Sequence, residues 1–587
     1  MKRRVFPLLS GAAVLLVALT IQAVPAGAAS TESLVTVGSP TAPFSQNKQN
    51  EPALTIDANH PDLVVAGSND QIDMEACNAG PDTDCPFTPG VGVSGVYFSF
   101  DSGHTWTQPT YTGLSARECL GEVGNDDPEC TPTVGPIGTL PHYYENGLVS
   151  DGDPALAFGP VPDGSGDFSW ANGSRLYYAN LTANLSSIRS ETAFKGFEAI
   201  AISRTDDVAA AASGNESAWL DPVLASKQSS ATFSDKEQIW ADNAASSRFF
   251  GNVYVCFARF QGAGGQSMFV ATSRDGGDTW SNKKVAGGSA VAPRRWGTSG
   301  CTIRTDSQGT VYVFYEQFQS PFFFANPIST QFVVRSFDGG VRWTRPVAIG
   351  TEHDPCPILQ FDGSFRRCVM DGVAGARADL SGSPNVTIAN GAPTGGNATD
   401  ELVRTWIDAV ATNHEHVMVA TSFDGVTWST PESIQSAGDR GYYTAPALSP
   451  DGSDLYVVYN AFTTPLRHGT TSSRVLVGVV KHADVGSDGS LSAFAELHRS
   501  PPGDPRGSSQ NNIVMEFLGD YVYAAATNDY GVAVWNDTRD ASVCAAVNQW
   551  RAEIQQDPSS YPAGRPAIQQ QCPATFGNSD IYSFTSA

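Results

Sequence analysis

The chain has 587 residues, with 35 Lys and Arg against 60 Asp and Glu, which leaves a net charge of −25. Charge of that sign and size argues against nucleic acid or an anionic membrane surface as a partner. Ten cysteines, an even number with no Cys-x-x-Cys pair, point to disulfides rather than to thiol or zinc chemistry.

Residues 1–29 read as a secretory signal. Lys2, Arg3 and Arg4 form a positive start, Val14 to Ile21 is apolar but too short to span a bilayer, and Ala26, Gly27, Ala28 and Ala29 suit signal peptidase. No second long apolar run follows, so a secreted, extracellular protein with no membrane span is expected. Residues 30–50 form an N-terminal segment, in which Glu32 to Val37 is a candidate ring-closing strand. Residues 51–587 carry a repeat.

The repeat is clearest in an octapeptide of the form S-x-D-x-G-x-x-W. It occurs at Ser99, Asp101, Gly103 and Trp106, at Ser273, Asp275, Gly277 and Trp280, and at Ser336, Asp338, Gly340 and Trp343. A copy one residue shorter carries Ser422, Asp424 and Trp428. Runs rich in β-branched and aromatic residues flank each copy, so each reads as a hairpin turn. The Asp can accept from the turn's own amides, the Gly can take positive φ, and the Trp can anchor the hairpin. Two further strand-like runs precede each hairpin, which makes four antiparallel strands per unit. The units fall near 51–115, 150–222, 235–290, 296–350, 365–436, 442–498 and 511–587. The expected fold is therefore all-β, a single-domain β-propeller of four-stranded antiparallel blades, with seven favoured over six. The last unit has only three strands, which Glu32 to Val37 would complete. Ala541 to Glu553 is the one stretch with a helical pattern.

Sequence proximity suggests the disulfides Cys77–Cys85, Cys119–Cys130, Cys356–Cys368 and Cys544–Cys572, leaving Cys256–Cys301.

With these octapeptides in place, the chain resembles the sialidase superfamily, whose Asp-box, or bacterial neuraminidase repeat, has the same pattern. Its layout is similar to bacterial secreted sialidase-like proteins. The resemblance implies a β-propeller and a glycoside hydrolase of exo-α-sialidase type acting on an extracellular glycan or glycoprotein. It gives the octapeptide residues a structural role. The Phe/Tyr-Arg-Ile-Pro motif of sialidases is absent, and the segment around Glu51-Pro52 stands in its place without an arginine.

The functional face is expected where the innermost strands begin. Those starts are polar: Asn50 and Glu51; Asp151 and Asp153; Asp235, Lys236 and Glu237; Arg294, Arg295 and Trp296; Arg366 and Arg367; Asp439, Arg440, Tyr442 and Tyr443; Asp520 and Tyr521. Arg539 lies at the end of a second strand. Chemistry of the sialidase type would use Arg295, Arg367, Arg440 and Arg539 to bind the substrate's carboxylate. Tyr442 or Tyr443 would be the nucleophile, Glu237 its base, and Asp235 or Asp153 the acid. The alternative is a non-catalytic propeller that binds carbohydrate or protein; polar strand starts also serve to satisfy loop backbones and to bridge blades. No cofactor is required. Ca2+ held by a carboxylate cluster is the one metal expected, with no particular site marked, because there is no EF-hand loop and no HExxH. His414 and His416, on one face of a strand, read as solvated. A monomer is expected.

Overall fold

The computed structural model describes residue 1 and residues 31–38, 48–75, 88–119, 131–186, 198–226, 229, 232–261, 265–287, 297–318, 327–364, 366–371, 376–508 and 513–587. They form a seven-bladed β-propeller. The innermost strands, in blade order, are Gln49–Asp57, Ala155–Pro162, Thr232–Ala241, Thr298–Thr305, Asn385–Ile388, Arg440–Leu448 and Tyr523–Ala526. Each touches the innermost strand of the next blade, and the seventh touches the first, so the seven surround one axis.

Strands run outward within a blade in sequence order and pair antiparallel. Blade 3 shows this plainly, with Thr232–Ala241, Val253–Gln261, Gly265–Ser273 and Ser281–Gly287. Blade 7 takes three strands from the C-terminal end of the chain and a fourth, Thr31–Leu34, from the N-terminal segment. Thr31 lies opposite Thr585 and Leu34 opposite Tyr582. This pairing of both chain ends closes the ring and covers the edge of blade 7. Blade 1 is the least regular: three strands pair fully, and the fourth position is reduced to a bridge between Phe98 and Thr107.

Blade 5 differs from the sequence reading. Arg366–Val369 was expected as its innermost strand, but it pairs with Ile358–Phe361 in a separate two-stranded hairpin, which Cys356–Cys368 ties together. The innermost strand is the shorter Asn385–Ile388, set between Pro384 and the Asn390-Gly391 turn. Four residues between two breakers give a weak strand signal.

Apolar side chains fill each seam between blades. Tyr177, Ile200, Ile239 and Val255 pack between blades 2 and 3, and Tyr254, Val270, Ile303 and Val313 between blades 3 and 4. Phe314, Val333, Val386 and Leu402 follow, then Val403, Val417, Leu455 and Val457, then Tyr443, Val458, Ala533 and Trp535. This explains why the strands are apolar on both faces: each sheet is covered by a neighbour on either side.

The octapeptides form turns at hairpin tips, held alike in all four copies. In the second, Ser273 Oγ donates to Asp275 Oδ1 at 2.8 Å, Gly277 N donates to Ser273 Oγ at 2.8 Å, and Thr279 N donates to Asp275 Oδ1 at 3.0 Å. Trp280, Trp343 and Trp428 donate their indole N–H to the carbonyls of Gly277, Gly340 and Gly425. Trp106 differs by donating across the seam to Ser583 Oγ at 3.0 Å.

The helix Ala545–Gln556 lies in an insertion within blade 7 and packs Val547, Trp550 and Ile554 against Val369 and Met515. Cys544–Cys572 anchors it, and Cys256–Cys301 joins blades 3 and 4. Cys77, Cys85, Cys130 and residues 2–30 lie outside the described residues. No helix among the described residues is long and apolar enough to cross a membrane.

Candidate functional site

The innermost strands share a local irregularity. In blades 1, 3, 4 and 6 the pairing with the second strand shifts near the strand's start, between Asn50 and Ala53, Asp235 and Gln238, Ser299 and Thr302, and Gly441 and Tyr443. At or beside these bulges the backbone is left-handed. Glu51 has φ 54°, Lys236 φ 60° and Gly300 φ 58°, and in blade 2 Asp153 has φ 53°. A non-glycine residue in this conformation costs on the order of 1 kcal/mol or more and re-aims its side chain. Here three such residues are charged, and all three are aimed at one place.

That place is centred on Lys236. Its Nζ lies 2.8 Å from Asp520 Oδ2, 3.0 Å from Asp153 Oδ2 and 3.5 Å from Asp235 Oδ1. Arg377, from the segment leading into blade 5, donates through Nη2 to the same Asp520 oxygen at 2.6 Å. Glu51 Oε2 accepts from Asn69 Nδ2 at 2.6 Å, and Glu51 Oε1 accepts from the Asp520 amide at 2.9 Å. Gly519, with φ +80°, makes that contact feasible, since a Cβ there would come within 2.7 Å of the Glu51 nitrogen. Tyr521 donates to Asp153 Oδ2 at 2.9 Å, and Tyr443 shares its hydroxyl between Asp520 Oδ1 at 3.1 Å and the Arg377 carbonyl at 3.0 Å.

Electrostatics divide these carboxyls into two kinds. Burial opposes ionisation of Asp520, but Arg377 and Lys236 outweigh it and hold the group well below the usual range. Asp153 is likewise held down, with Lys236 overcoming burial. Burial, against the pull of Lys236 and with the push of Asp153, raises Asp235 to about 6. Burial and the Asp153 charge raise Glu51 well above its usual value. Neighbouring acids are thus shifted in opposite directions, the arrangement from which acid and base roles are built.

Lys236, Asp520, Tyr443 and Tyr521 border a cleft of about 40 Å3, whose other wall includes Thr302, Ser381 and Ser383. That volume holds a few waters.

The sequence-predicted residues are only partly brought together. Asp235 lies in this cluster. Tyr443 reaches it, while Tyr442 is fully buried and donates to the Arg377 carbonyl at 2.6 Å. Neither tyrosine hydroxyl is hydrogen-bonded to Glu237. Glu237 alternates with Lys236 on the strand, is buried, and neither of its oxygens has a hydrogen-bond partner; the carboxylate at Tyr443 is Asp520. Among the described residues, the predicted arginines Arg367, Arg440 and Arg539 do not converge. Arg440 braces Glu415 at 2.8 Å and Asp371 at 3.2 Å. Arg367 sits on the extra hairpin, paired with Asp362 at 2.7 Å and with Asp379. Arg539 lies at the ring closure, paired with Glu32 and with Asp537 at 2.6 Å. Arg294, Arg295 and Trp296 lie outside the described residues. Arg377 was not singled out from the sequence, because its loop lacks both repeat position and motif.

No protein-family model matches the chain, and no curated protein matches it. Among solved structures, it is similar to an α-L-arabinofuranosidase, Arb93A, from Fusarium graminearum at 12% identity and a TM-score of 0.35, covering 76% of this chain and 94% of that one. It is similar to a Trypanosoma rangeli sialidase at 11% identity and a TM-score of 0.38, covering 74% of this chain and 56% of that one. A leech intramolecular trans-sialidase matches at 12% identity and a TM-score of 0.37, covering 71% of this chain and 65% of that one. Similarity at this level assigns no chemistry to the chain.

Proposed function

We propose that the protein is a secreted glycoside hydrolase acting on extracellular glycans, of the sialidase-like kind that uses a tyrosine and an acid. The supporting observation is the charged cluster around Lys236, where strained strand starts converge beside a cleft. A fold spends backbone strain in this way where a side chain must point somewhere specific.

In this reading Asp235 is the general acid, since a carboxyl raised to about 6 keeps its proton in mildly acidic medium. Asp235 protonates the leaving oxygen as the glycosidic bond breaks. Tyr443 attacks the anomeric carbon as its hydroxyl proton leaves to water in the cleft, and water later releases the sugar with Asp235 acting as base. Asp153 and Lys236 set the charge around the acid. Arg377 is the arginine nearest to an anion-binding role, although it is engaged by Asp520.

The second reading, a non-catalytic binding propeller, is favoured by one observation: every cation of the cluster is already paired with a protein carboxylate, and the cleft is small. Turnover of a panel of aryl glycosides, a sialoside included, by the purified oxidised protein separates the two readings. Hydrolysis that is lost in Asp235→Asn supports the first, and a folded protein inert on the whole panel supports the second.

A further inference from the structure

Blade 4 holds a second group of acids. Glu316 lies on the strand Val311–Phe318, Glu352 on Val347–His353, and Asp354 directly follows. The strand Ile328–Ser336 runs between the two glutamates, with Glu316 opposite Gln331 and Ser329 opposite Glu352. Alternation along the strands therefore puts both glutamates on one face of the sheet.

One carboxylate oxygen from each acid lies within 4.8 Å of the other two. Exposure is 0% for Glu316, 1% for Glu352 and 8% for Asp354. All four oxygens of Glu316 and Glu352 lack a hydrogen-bond partner among the described residues. Ser383 interacts with Glu316 but falls outside hydrogen-bonding geometry. Asp354 alone is engaged, accepting from Ser329 Oγ at 2.6 Å. The neighbouring cation is turned elsewhere: Arg404 donates to Gln331 Oε1 at 2.8 Å and to the Ile349 carbonyl at 3.0 Å. Asp408 and Asp379 add negative charge nearby.

Buried carboxylates are ordinarily paired, hydrogen-bonded or bound to metal, and here four oxygens have none of these among protein groups. An ion bonded to three oxygens at about 2.3–2.6 Å holds them up to about 4.5 Å apart, so oxygens that all lie within 4.8 Å of one another suit Ca2+ with little adjustment. The donor set is all oxygen, with no nitrogen or sulfur to select zinc or copper. Mg2+ keeps several waters and demands octahedral geometry, whereas Ca2+ accepts bidentate carboxylates in irregular arrangements.

We propose that Glu316, Glu352 and Asp354 form a Ca2+ site. The ion would join two strands of blade 4 to the segment around Gly382, where a Cβ would come within 2.5 Å of Asp354 Oδ1. That segment carries Ser381 and Ser383, which line the cleft, so the ion would fix one wall of it.

The test uses the full mature chain with its disulfides formed, stripped with EGTA and re-equilibrated with Ca2+ or Mg2+. Elemental analysis and thermal melts are read for the wild type, Glu316→Gln, Glu352→Gln and the double variant. The expected result is one equivalent of Ca2+ per chain, a melting temperature raised by Ca2+, and loss of both in the glutamine variants. In EGTA those variants should melt no lower than the wild type, because each removes an uncompensated charge. Should the variants fail to fold, the wild-type ion content and its Ca2+ response decide alone. Absence of bound Ca2+ with an unchanged melt overturns the proposal. So does a response to Mg2+ only, or full retention of Ca2+ in the double variant. In the last case Asp484→Asn would test the more exposed Asp454, His482 and Asp484 group as its source.

Discussion

Lys236 Nζ lies 2.8 Å from Asp520 Oδ2, so a left-handed residue at the start of blade 3 is bonded to the acid that opens blade 7. The pair spans the axis side of the ring, and Asp153 of blade 2 joins it at 3.0 Å. Both partners are nearly inaccessible, with side-chain exposures of 13% and 0%. Replacing Lys236 by Met leaves Asp153 and Asp235 buried without their counter-charge, while Asp520 keeps Arg377. The expected loss is about 3–5 kcal/mol of stability, read by chemical denaturation. A loss below about 1 kcal/mol would show that the pair behaves like a surface salt bridge.

The dependence of stability on pH follows from buried acids elsewhere. Burial raises Asp73 and Asp242 to about 7 and Asp151 to about 8. Each keeps a proton in the folded chain at a pH where the unfolded chain has lost it. Between about pH 4 and 7 the folded state then binds more protons, and its stability falls as pH rises. Asp520 acts in the opposite sense: its contribution is complete above its unfolded value of about 4 and is lost only as pH falls below that. Melting temperatures measured in EGTA should therefore peak at about pH 4 and decline towards about pH 8. A melting temperature that climbs across that interval would contradict the burial of these acids.

The octapeptide turns should matter for stability and not for turnover. Asp275→Ala removes the acceptor for Thr279 N at 3.0 Å and for Ser273 Oγ at 2.8 Å. The expected cost is about 1–2 kcal/mol, with any hydrolytic activity retained. Equal loss of activity at unchanged stability would place the turn at the functional face.

Ring closure can be weakened at one carboxylate. Glu32 accepts from His498 Nε2 at 2.7 Å and from Arg539 Nη2 at 3.0 Å. Burial opposes its ionisation, yet these two partners bring it down to about 2. The group is partly solvated, so Glu32→Gln should cost about 1–2 kcal/mol near neutral pH rather than the full value of the shift. That difference should vanish as pH falls from its unfolded value of about 4 towards 2. A difference that persists at the low end would assign the effect to packing.

The ring of blades was legible because its signals repeat. Apolar β-branched and aromatic runs such as Val253 to Phe257, followed by turns such as Ser273 to Trp280, recur in the same order from unit to unit, and repetition compensates for the weakness of each signal. Tyr443 and Asp235 were legible as polar residues at strand starts. What the pattern did not carry was direction. A bulge turns Lys236 towards the axis while Glu237 and Arg440 face elsewhere, and one residue of register exchanges the two faces of a strand. Arg377 entered the cluster from an irregular segment whose path depends on tertiary packing. Glu316 was legible as a polar end of a second strand, but its grouping with Glu352 was not, because the two are far apart in sequence and meet only through strand pairing.

The most direct measurement is hydrolysis of a fluorogenic sialoside and other aryl glycosides by the oxidised mature chain, beside Asp235→Asn and Tyr443→Phe. Turnover by the wild type, reduced by about 100-fold or more in each variant without loss of folding, is expected of an acid and a nucleophile. A well-folded wild-type protein inert towards the whole panel, or variants as active as the wild type, would contradict the assignment of catalysis to the Lys236 cluster.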